Sequence, residues 1–296
     1  MTACKTVLAS QIARPFRHFL KKKLDKCTSK PTLIGLLANQ DPASKKYAEW
    51  TAKTCQETGV QFELAQVNKH ELELEIIKAN HNKDIHGIMV YYPVFGYPLD
   101  ISLQNRVNYF KDVEGLSQRA LQNVYQNKRF YDKNIIPCTP LAIIKTLEYI
   151  QEYRSDLSFG HRLENKTVTV INRSDIVGKP LAALLASEGA LVYSVDENNV
   201  QLFTPTDIKD TPFSQQQVIP QSDIVITGVP FRNYKVPTAI LKPGVVAINF
   251  SAFANFEKDV TYKASHFVPS VGKVTVTMLK RNLLRLYDYQ LQQLRQ

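Results

Sequence analysis

The residue types best suited to chemistry in this 296-residue chain lie in the stretch 168–196, VTVINRSDIVGKPLAALLASEGALVYSVD. Arg173 and Ser174 put hydrogen-bond donors at a turn leading into a helix, where free N–H groups and the helix dipole favour an anion such as a pyrophosphate. Asp196 follows about 24 residues after Asn172, at the end of the next β-branched run. An acid at that distance accepts hydrogen bonds from the ribose hydroxyls of a dinucleotide, and its charge repels a 2′-phosphate. The turn has Asn172, Arg173, Ser174 and one Gly178 in place of the GxGxxG fingerprint, so the motif itself lends little support. The same βαβ pattern also occurs as a plain packing unit in α/β proteins.

The elements that would hold these groups follow from periodicity. Residues 168–171 read as a buried parallel strand, Pro180 suits the first position of a helix running to Glu188, Gly189 suits its left-handed stop, and 190–195 form the next strand. In the first half, 6–24 read as an amphipathic helix, 32–37 as a strand, 44–58 as a helix opened by Asp41 and Pro42 and stopped by Gly59, 61–67 as a strand, 71–80 as a helix and 87–92 as a strand. Tyr47 and Thr51, four apart, share one face of their helix. This alternation predicts a parallel sheet with its ligand cleft beyond the strand carboxyl ends, near Gln40, Tyr91 and Tyr92. A helical patch at 103–109 is followed by loops at 111–115 and 137–140, and 141–152 is a helix that leads into the nucleotide unit. Residues 203–221, with Pro205, Pro212 and Pro220, read as a surface excursion; 223–227 and 245–250 are strands, and 274–294 a closing amphipathic helix expected to return to the first domain.

Composition limits the rest. A content of 44% hydrophobic and 22% charged residues is ordinary for a globular chain, and the length suits two domains. The formal charge of +10 suits anionic ligands such as nucleotides or polyglutamylated cofactors. The lysines at 21, 22, 23, 26 and 30 lack interleaved aromatic residues and read as a solvated helix end, so a nucleic-acid surface is not expected. The cysteines at 4, 27, 55 and 138 form no CxxC pair, so neither zinc nor a disulfide framework is signalled. No apolar run reaches membrane-spanning length and the N-terminal residues lack a secretory core, which together predict a cytoplasmic protein without membrane attachment.

Several strings taken together are far more specific than any one. YAEWTAKT (47–54), GIMVYYPVFG (87–96), KDVEGL (111–116), PCTP (137–140), NRSDIVGKPLAALL (172–185), ITGVP (226–230) and GKVTVTML (272–279) make the chain resemble the methylenetetrahydrofolate dehydrogenase/cyclohydrolase family over nearly its full length. The resemblance implies two α/β domains, the second a Rossmann-like doubly wound parallel sheet, with the folate cleft between them. It divides the chain into a folate-binding catalytic domain over 1–145, completed by the helix 275–296, and an NAD-binding domain over 146–274. A homodimer is implied as well. Tyr47 would stack on folate, Tyr91 and Pro269 would line the substrate site, and Glu114 would anchor the pterin amino group. Arg173, Ser174, Asp196, Glu197, Gly228, Val229, Asn249 and Phe250 would hold the cofactor.

The departures from the bifunctional pattern are informative. Bifunctional members carry a lysine four residues after the stacking tyrosine, where this chain has Thr51, and a supporting glutamine where it has Tyr91. Their aspartate after KDV is Glu114 here, and the glycine before Arg and Ser is Asn172. A threonine is neither a useful acid nor a useful base near neutral pH, so dehydrogenation without cyclohydrolase activity is expected. Asp196 and Glu197 argue for NAD, and the combination resembles the monofunctional, NAD-dependent fungal members. Arg173 assists phosphate binding in NADP-using relatives and works with phosphate and magnesium in some mitochondrial ones; with only Asp175 beside it, no metal is expected. The implied reaction is direct hydride transfer from 5,10-methylenetetrahydrofolate to NAD. Cys138 is open to two readings, an inert buried thiol or a group that orients the one-carbon bridge. A bifunctional enzyme with another proton donor, or a non-catalytic nucleotide-binding regulator, are the alternatives.

Overall fold

The computed structural model describes residues 3–128 and 134–294; the last two residues of the expected helix 275–296 lie outside that range. In chain order the elements are β1 (Lys5–Thr6), α1 (Ala9–Asp25), β2 (Thr32–Leu37), α2 (Pro42–Thr58), β3 (Gln61–Gln66), α3 (Leu72–His81), β4 (Gly87–Val90), α4 (Leu99–Arg106), α5 (Gln118–Tyr125), α6 (Cys138–Tyr149), β5 (Thr167–Ile171), α7 (Gly178–Ala186), β6 (Leu191–Val195), β7 (Val200–Phe203), β8 (Ile208–Thr211), α8 (Gln215–Val218), β9 (Ile224–Thr227), β10 (Val246–Asn249), β11 (His266–Val268) and α9 (Gly272–Leu294). Backbone contacts divide the chain into a unit of residues 14–138 with 276–296 and a unit of residues 1–13 with 139–275. No helix among the described residues is long and apolar enough to cross a membrane.

In the first of these units the sheet order is β3-β2-β4, all parallel. Helix α2 begins as its sequence dictates. The Asp41 carboxylate accepts from the Ser44 N–H at 3.0 Å, Pro42 occupies the first turn, and Gly59 closes the helix in the left-handed conformation. Leu33, Leu37 and Met89 from the strands pack with Leu279, Leu283 and Leu286, so α9 supplies one wall of this core. Asn282 on α9 fastens that wall by donating to the carbonyls of Val113 and Ile136, each at 3.0 Å.

In the other unit the sheet order is β1-β11-β10-β9-β5-β6-β7-β8. Strands β5, β9 and β10 are buried, β-branched runs of the kind a sheet covered on both faces requires. The sequence reading needs correction at several points. Residues 5–6 are a strand rather than the start of α1, because the N–H groups of Lys5 and Val7 are taken by the carbonyls of Ser265 and Phe267 at 2.8 and 2.9 Å. Residues 1–13 therefore join this unit, not the one holding most of 1–145. The stretch 203–221 is not a free excursion: β7 and β8 form an antiparallel hairpin that extends an otherwise parallel sheet, and α8 follows. The edge strand IKDT buries no side chain, so its alternation carries no apolar signal. The patch at 103–109 is α4, which starts and ends earlier, and α5, capped by Ser117, had no sequence forecast. Helix α6 begins at Cys138, inside the string read as a loop, and α7 begins at Gly178, making Pro180 its third residue.

Glu188, fully buried after the end of α7, ties the segment before β5 to the core. Its carboxylate accepts from the Tyr153 hydroxyl and from the Gly160 N–H at 3.1 Å, with Arg162 at 3.7 Å. Removing a buried, hydrogen-bonded carboxylate strands all of these donors at once. Glu188→Ala should therefore lower the unfolding free energy by about 3 kcal/mol, and Glu188→Gln by less. Urea denaturation would measure both, and a loss under about 0.5 kcal/mol for the alanine variant would contradict this account.

Candidate active site

Each unit carries a set of groups with chemical potential. In the unit of β5 to β11, strands β6 and β9 lie on opposite sides of β5, so the chain reverses direction across the sheet between β5 and β9. Open α/β sheets bind ligands beyond the carboxyl ends of their strands at such a reversal. A cleft of about 480 Å³ lies there, lined by Asn172, Arg173, Ser174, Asp196, Glu197 and Val229 among others. Its size is that of a small-molecule site.

The Asn172 side chain fixes the turn. Its Oδ1 accepts from the Ser174 N–H at 2.9 Å, and its Nδ2 donates to the Gly228 carbonyl at 3.0 Å. A Cβ on Gly178 would lie 1.8 Å from the Asn172 carbonyl oxygen, so only glycine lets α7 start this close to the turn. The single glycine does the work the three-glycine motif divides between close approach and helix packing. Asp196 and Glu197 stand exposed just past β6. Donors at a helix start and carboxylates one strand away match what the pyrophosphate and ribose of a dinucleotide require, so the residues present fit that cofactor.

Arg173 is not free. It donates through Nε to Ser194 Oγ at 3.3 Å, through Nη2 to the carbonyls of Ser194 and Asn199 at 2.5 and 2.8 Å, and through Nη1 to Asn199 Oδ1. Gly228, Asn249 and Phe250 belong to the strand ends that support the cleft. The Phe250 ring lies where a Cβ on residue 228 would be, at 1.9 Å, and Asn249 Nδ2 donates to the carbonyls of Ser251, Phe253 and Pro269. Pro269 thus sits in the nucleotide unit. Gln215, Phe231 and Tyr234 also line the cleft, with Gln215 Nε2 donating to the Tyr234 hydroxyl at 2.7 Å. Sequence reasoning missed these three; the aromatic pair in PFRNY, directly after a strand end, was the available signal. Asp175 pairs with Lys179 at 2.6 Å, and among the described residues no group of three or more His, Cys, Asp or Glu could hold a metal ion.

The unit of β2 to β4 brings Tyr47, Thr51, Tyr91, Glu114 and Cys138 together. The rings of Tyr47 and Tyr91 meet edge to face with centroids 6.0 Å apart. Thr51 is fully buried and its hydroxyl donates to the Tyr47 carbonyl at 2.9 Å. The Tyr91 hydroxyl, beside Thr51, is buried without a hydrogen-bond partner in good geometry among the described residues. Burial raises the phenol pKa of both tyrosines. Asp112 builds the loop beneath them by accepting from the backbone N–H groups of Gly115, Leu116 and Ser117 at 2.8, 3.3 and 2.9 Å. Among the described residues Glu114 accepts one, from Val90 at 3.3 Å. Burial and the neighbouring Asp112 push its pKa up to about 8. The Cys138 thiol donates to the Val113 carbonyl at 3.2 Å, and Asn282 Nδ2 approaches its sulfur at 3.5 Å. Burial and Glu114 hold its pKa well above the usual thiol range, so it is a thiol and not a nucleophilic thiolate.

Lys280 is a further buried cation that the sequence reading passed over as part of the closing amphipathic helix. It is fully buried on α9, and its Nζ donates to the Thr54 carbonyl at 3.1 Å and to Thr58 Oγ1 at 3.3 Å. Burial lowers its pKa to about 8. Its partners lie toward the C-terminal end of α2, beyond Thr51 and away from Tyr47 along the helix.

Comparison with known proteins places these features in a family. Residues 7–114 match the catalytic domain, and residues 137–291 the NAD(P)-binding domain, of the tetrahydrofolate dehydrogenase/cyclohydrolase family. The chain is 48% identical to the methylenetetrahydrofolate dehydrogenase [NAD(+)] of Schizosaccharomyces pombe, over 98% of this chain and 95% of that protein. It is 46% identical to the enzyme of the same description from Saccharomyces cerevisiae, over 95% of each. The solved structure of the NAD-dependent 5,10-methylenetetrahydrofolate dehydrogenase from Saccharomyces cerevisiae superposes with a TM-score of 0.93, covering 97% of this chain and 98% of that one. With both domains matched in order and relatives almost half identical along nearly its whole length, the chain belongs to the tetrahydrofolate dehydrogenase/cyclohydrolase family.

Proposed function

We propose that this chain transfers a hydride from the one-carbon bridge of 5,10-methylenetetrahydrofolate to NAD, giving 5,10-methenyltetrahydrofolate, and does not hydrolyse that product. The observation that carries the reading is the cleft at the β5/β9 reversal, with Asp196 and Glu197 at its rim, in a chain whose other unit gathers Tyr47, Tyr91 and Glu114. Bound NAD supplies the hydride acceptor. The chain's own part is positioning. Ser174 and the α7 N-terminus hold the pyrophosphate, Asp196 binds the ribose, Tyr47 stacks on the folate, Tyr91 lines its site, and Glu114 accepts from the pterin N–H groups. A departing hydride leaves a cation delocalised over two nitrogens, so no side chain need take a proton. Cys138, with its thiol already engaged, orients its surroundings without reacting. The charge of +10 supports a polyglutamylated substrate, free cysteines support a reducing compartment such as the cytosol, and membership of the family supports a homodimer.

Hydrolysis of the methenyl bridge needs a proton carrier beside it. Thr51 has its hydroxyl tied to the Tyr47 carbonyl, Tyr91 titrates far above neutrality, and Lys280 is bonded elsewhere on α2, so none of the three serves. General acid–base help is worth about 10²- to 10⁴-fold. The purified protein should leave hydrolysis of methenyltetrahydrofolate at its background rate while reducing NAD with methylenetetrahydrofolate. An absorbance assay in a non-catalytic buffer reads both, and an enzyme-proportional hydrolysis rate would show that the protein is bifunctional.

Cofactor choice gives a second outcome. A 2′-phosphate facing Asp196 and Glu197 meets like charge, which should favour NAD by at least about a hundredfold in kcat/KM. Asp196→Ser should narrow that gap by weakening NAD and admitting NADP. Equal rates with the two cofactors in the wild type would exclude the assignment.

The third outcome concerns pH. Glu114 titrates near 8 in the free protein, and the pterin edge presents N–H donors, so the ionised form is the one that binds. Below that pH the neutral carboxyl offers one acceptor fewer and a misplaced proton. The folate kcat/KM should therefore rise through about pH 8 and level off above it, and Glu114→Gln should be weak and lack this limb. Persistence of the limb in the glutamine variant would assign it to another group.

A further inference from the structure

Arg173 stands at the ribose end of the nucleotide cleft, lining it together with Asp196. An arginine in that place is what a dinucleotide fold uses to accept a 2′-phosphate, through the planar fork of its guanidinium. Here the fork is occupied. Four of its five N–H groups are directed to Ser194 and Asn199, and both Nη atoms reach Asn199, one at its side-chain oxygen and one at its carbonyl. Asn199 is itself anchored. Its Nδ2 donates to Asp210 Oδ1 on β8 at 3.1 Å, the same oxygen accepts from Gln201 at 3.0 Å, and the Asn199 carbonyl also takes the Asp196 N–H at 3.1 Å. A chain of hydrogen bonds thus runs from the edge strand through the β6–β7 turn to the guanidinium.

We infer that Asn199 is a positioning residue for nucleotide selectivity, holding Arg173 against the β6–β7 turn so that its fork is withheld from a 2′-phosphate. Selectivity then has two sources that act together. Asp196 and Glu197 repel the phosphate, and Arg173, the cation that lines the cleft with them, is engaged elsewhere. Weakening the repulsion alone leaves a phosphate without a partner, whereas loosening the hold on Arg173 as well lets its fork turn to it. Loss of one charge-assisted hydrogen bond to the guanidinium lowers the cost of that turn by an amount worth about tenfold in affinity.

This inference rests on the NAD reading given above. Calorimetry with NAD and with NADP would test it on the wild type, Asp196→Ser, Asp196→Ser/Asn199→Ala, and that double variant with Arg173→Met added. The double variant should bind NADP about tenfold more tightly than Asp196→Ser does, with a much smaller change for NAD. Adding Arg173→Met should abolish the gain. Asp210→Ala on the Asp196→Ser background cuts the tether while leaving Asn199 in place, and should give a smaller gain in the same direction that Arg173→Met again abolishes. No gain in either background, a gain that survives Arg173→Met, or equal changes for both nucleotides would overturn the proposal, the last because a merely structural role for Asn199 predicts it. A wild type that binds neither nucleotide would overturn the underlying NAD reading.

Discussion

The nucleotide half of this protein depends on one contact, the approach of Gly178 to the carbonyl of Asn172. With 1.8 Å between that oxygen and the place a Cβ would take, no other residue allows α7 to start where it does. From that contact the remaining geometry follows. The helix N-terminus comes up against the strand-to-helix turn, Asn172 is free to bridge Ser174 and Gly228 with its amide, and the polypeptide returns through β6 to set Asp196 beside Arg173. The fingerprint glycines of other dinucleotide folds are replaced by side-chain hydrogen bonds from an asparagine, which fix the turn by bonding where glycines fix it by absence of a side chain.

The folate side is governed by a different constraint, the cost of burying charge. Asp112 and Glu114 lie two residues apart in a loop, yet their environments separate them. Asp112 is met by three backbone donors and serves as the frame of the loop, while burial and the neighbouring Asp112, against the single Val90 N–H among the described residues, keep Glu114 neutral until mildly alkaline pH. Acids of unequal support in one low-dielectric site are a common way to obtain distinct protonation states from like groups. Lys280 illustrates the same economy on the opposite sign. Its ammonium donates to a helix carbonyl and a threonine hydroxyl of α2, which meet part of the cost of burying it.

Read alone, the sequence determined the elements with strong local signals and the residues with strong chemical identity. Helix α2, from its Asp41 cap to its Gly59 stop, is local physics, and so are the buried β-branched runs of β2, β5, β9 and β10. Tyr47, Thr51, Tyr91, Glu114 and Asp196 could be singled out because their types and spacing, together with a resemblance over nearly the full chain, assigned each a chemistry. Only the tertiary structure decided what has no local signal. The edge strand β8 buries none of its positions and reads as a loop until β7 pairs with it; β1 is a strand only because β11 offers carbonyls to it. The protonation of Glu114 depends on burial and on Asp112, and the restraint on Arg173 depends on Asn199 and Asp210, which meet it through strand pairing. These are properties of distance between groups remote in sequence, and hydrogen bonding and desolvation are set by that distance, not by residue type.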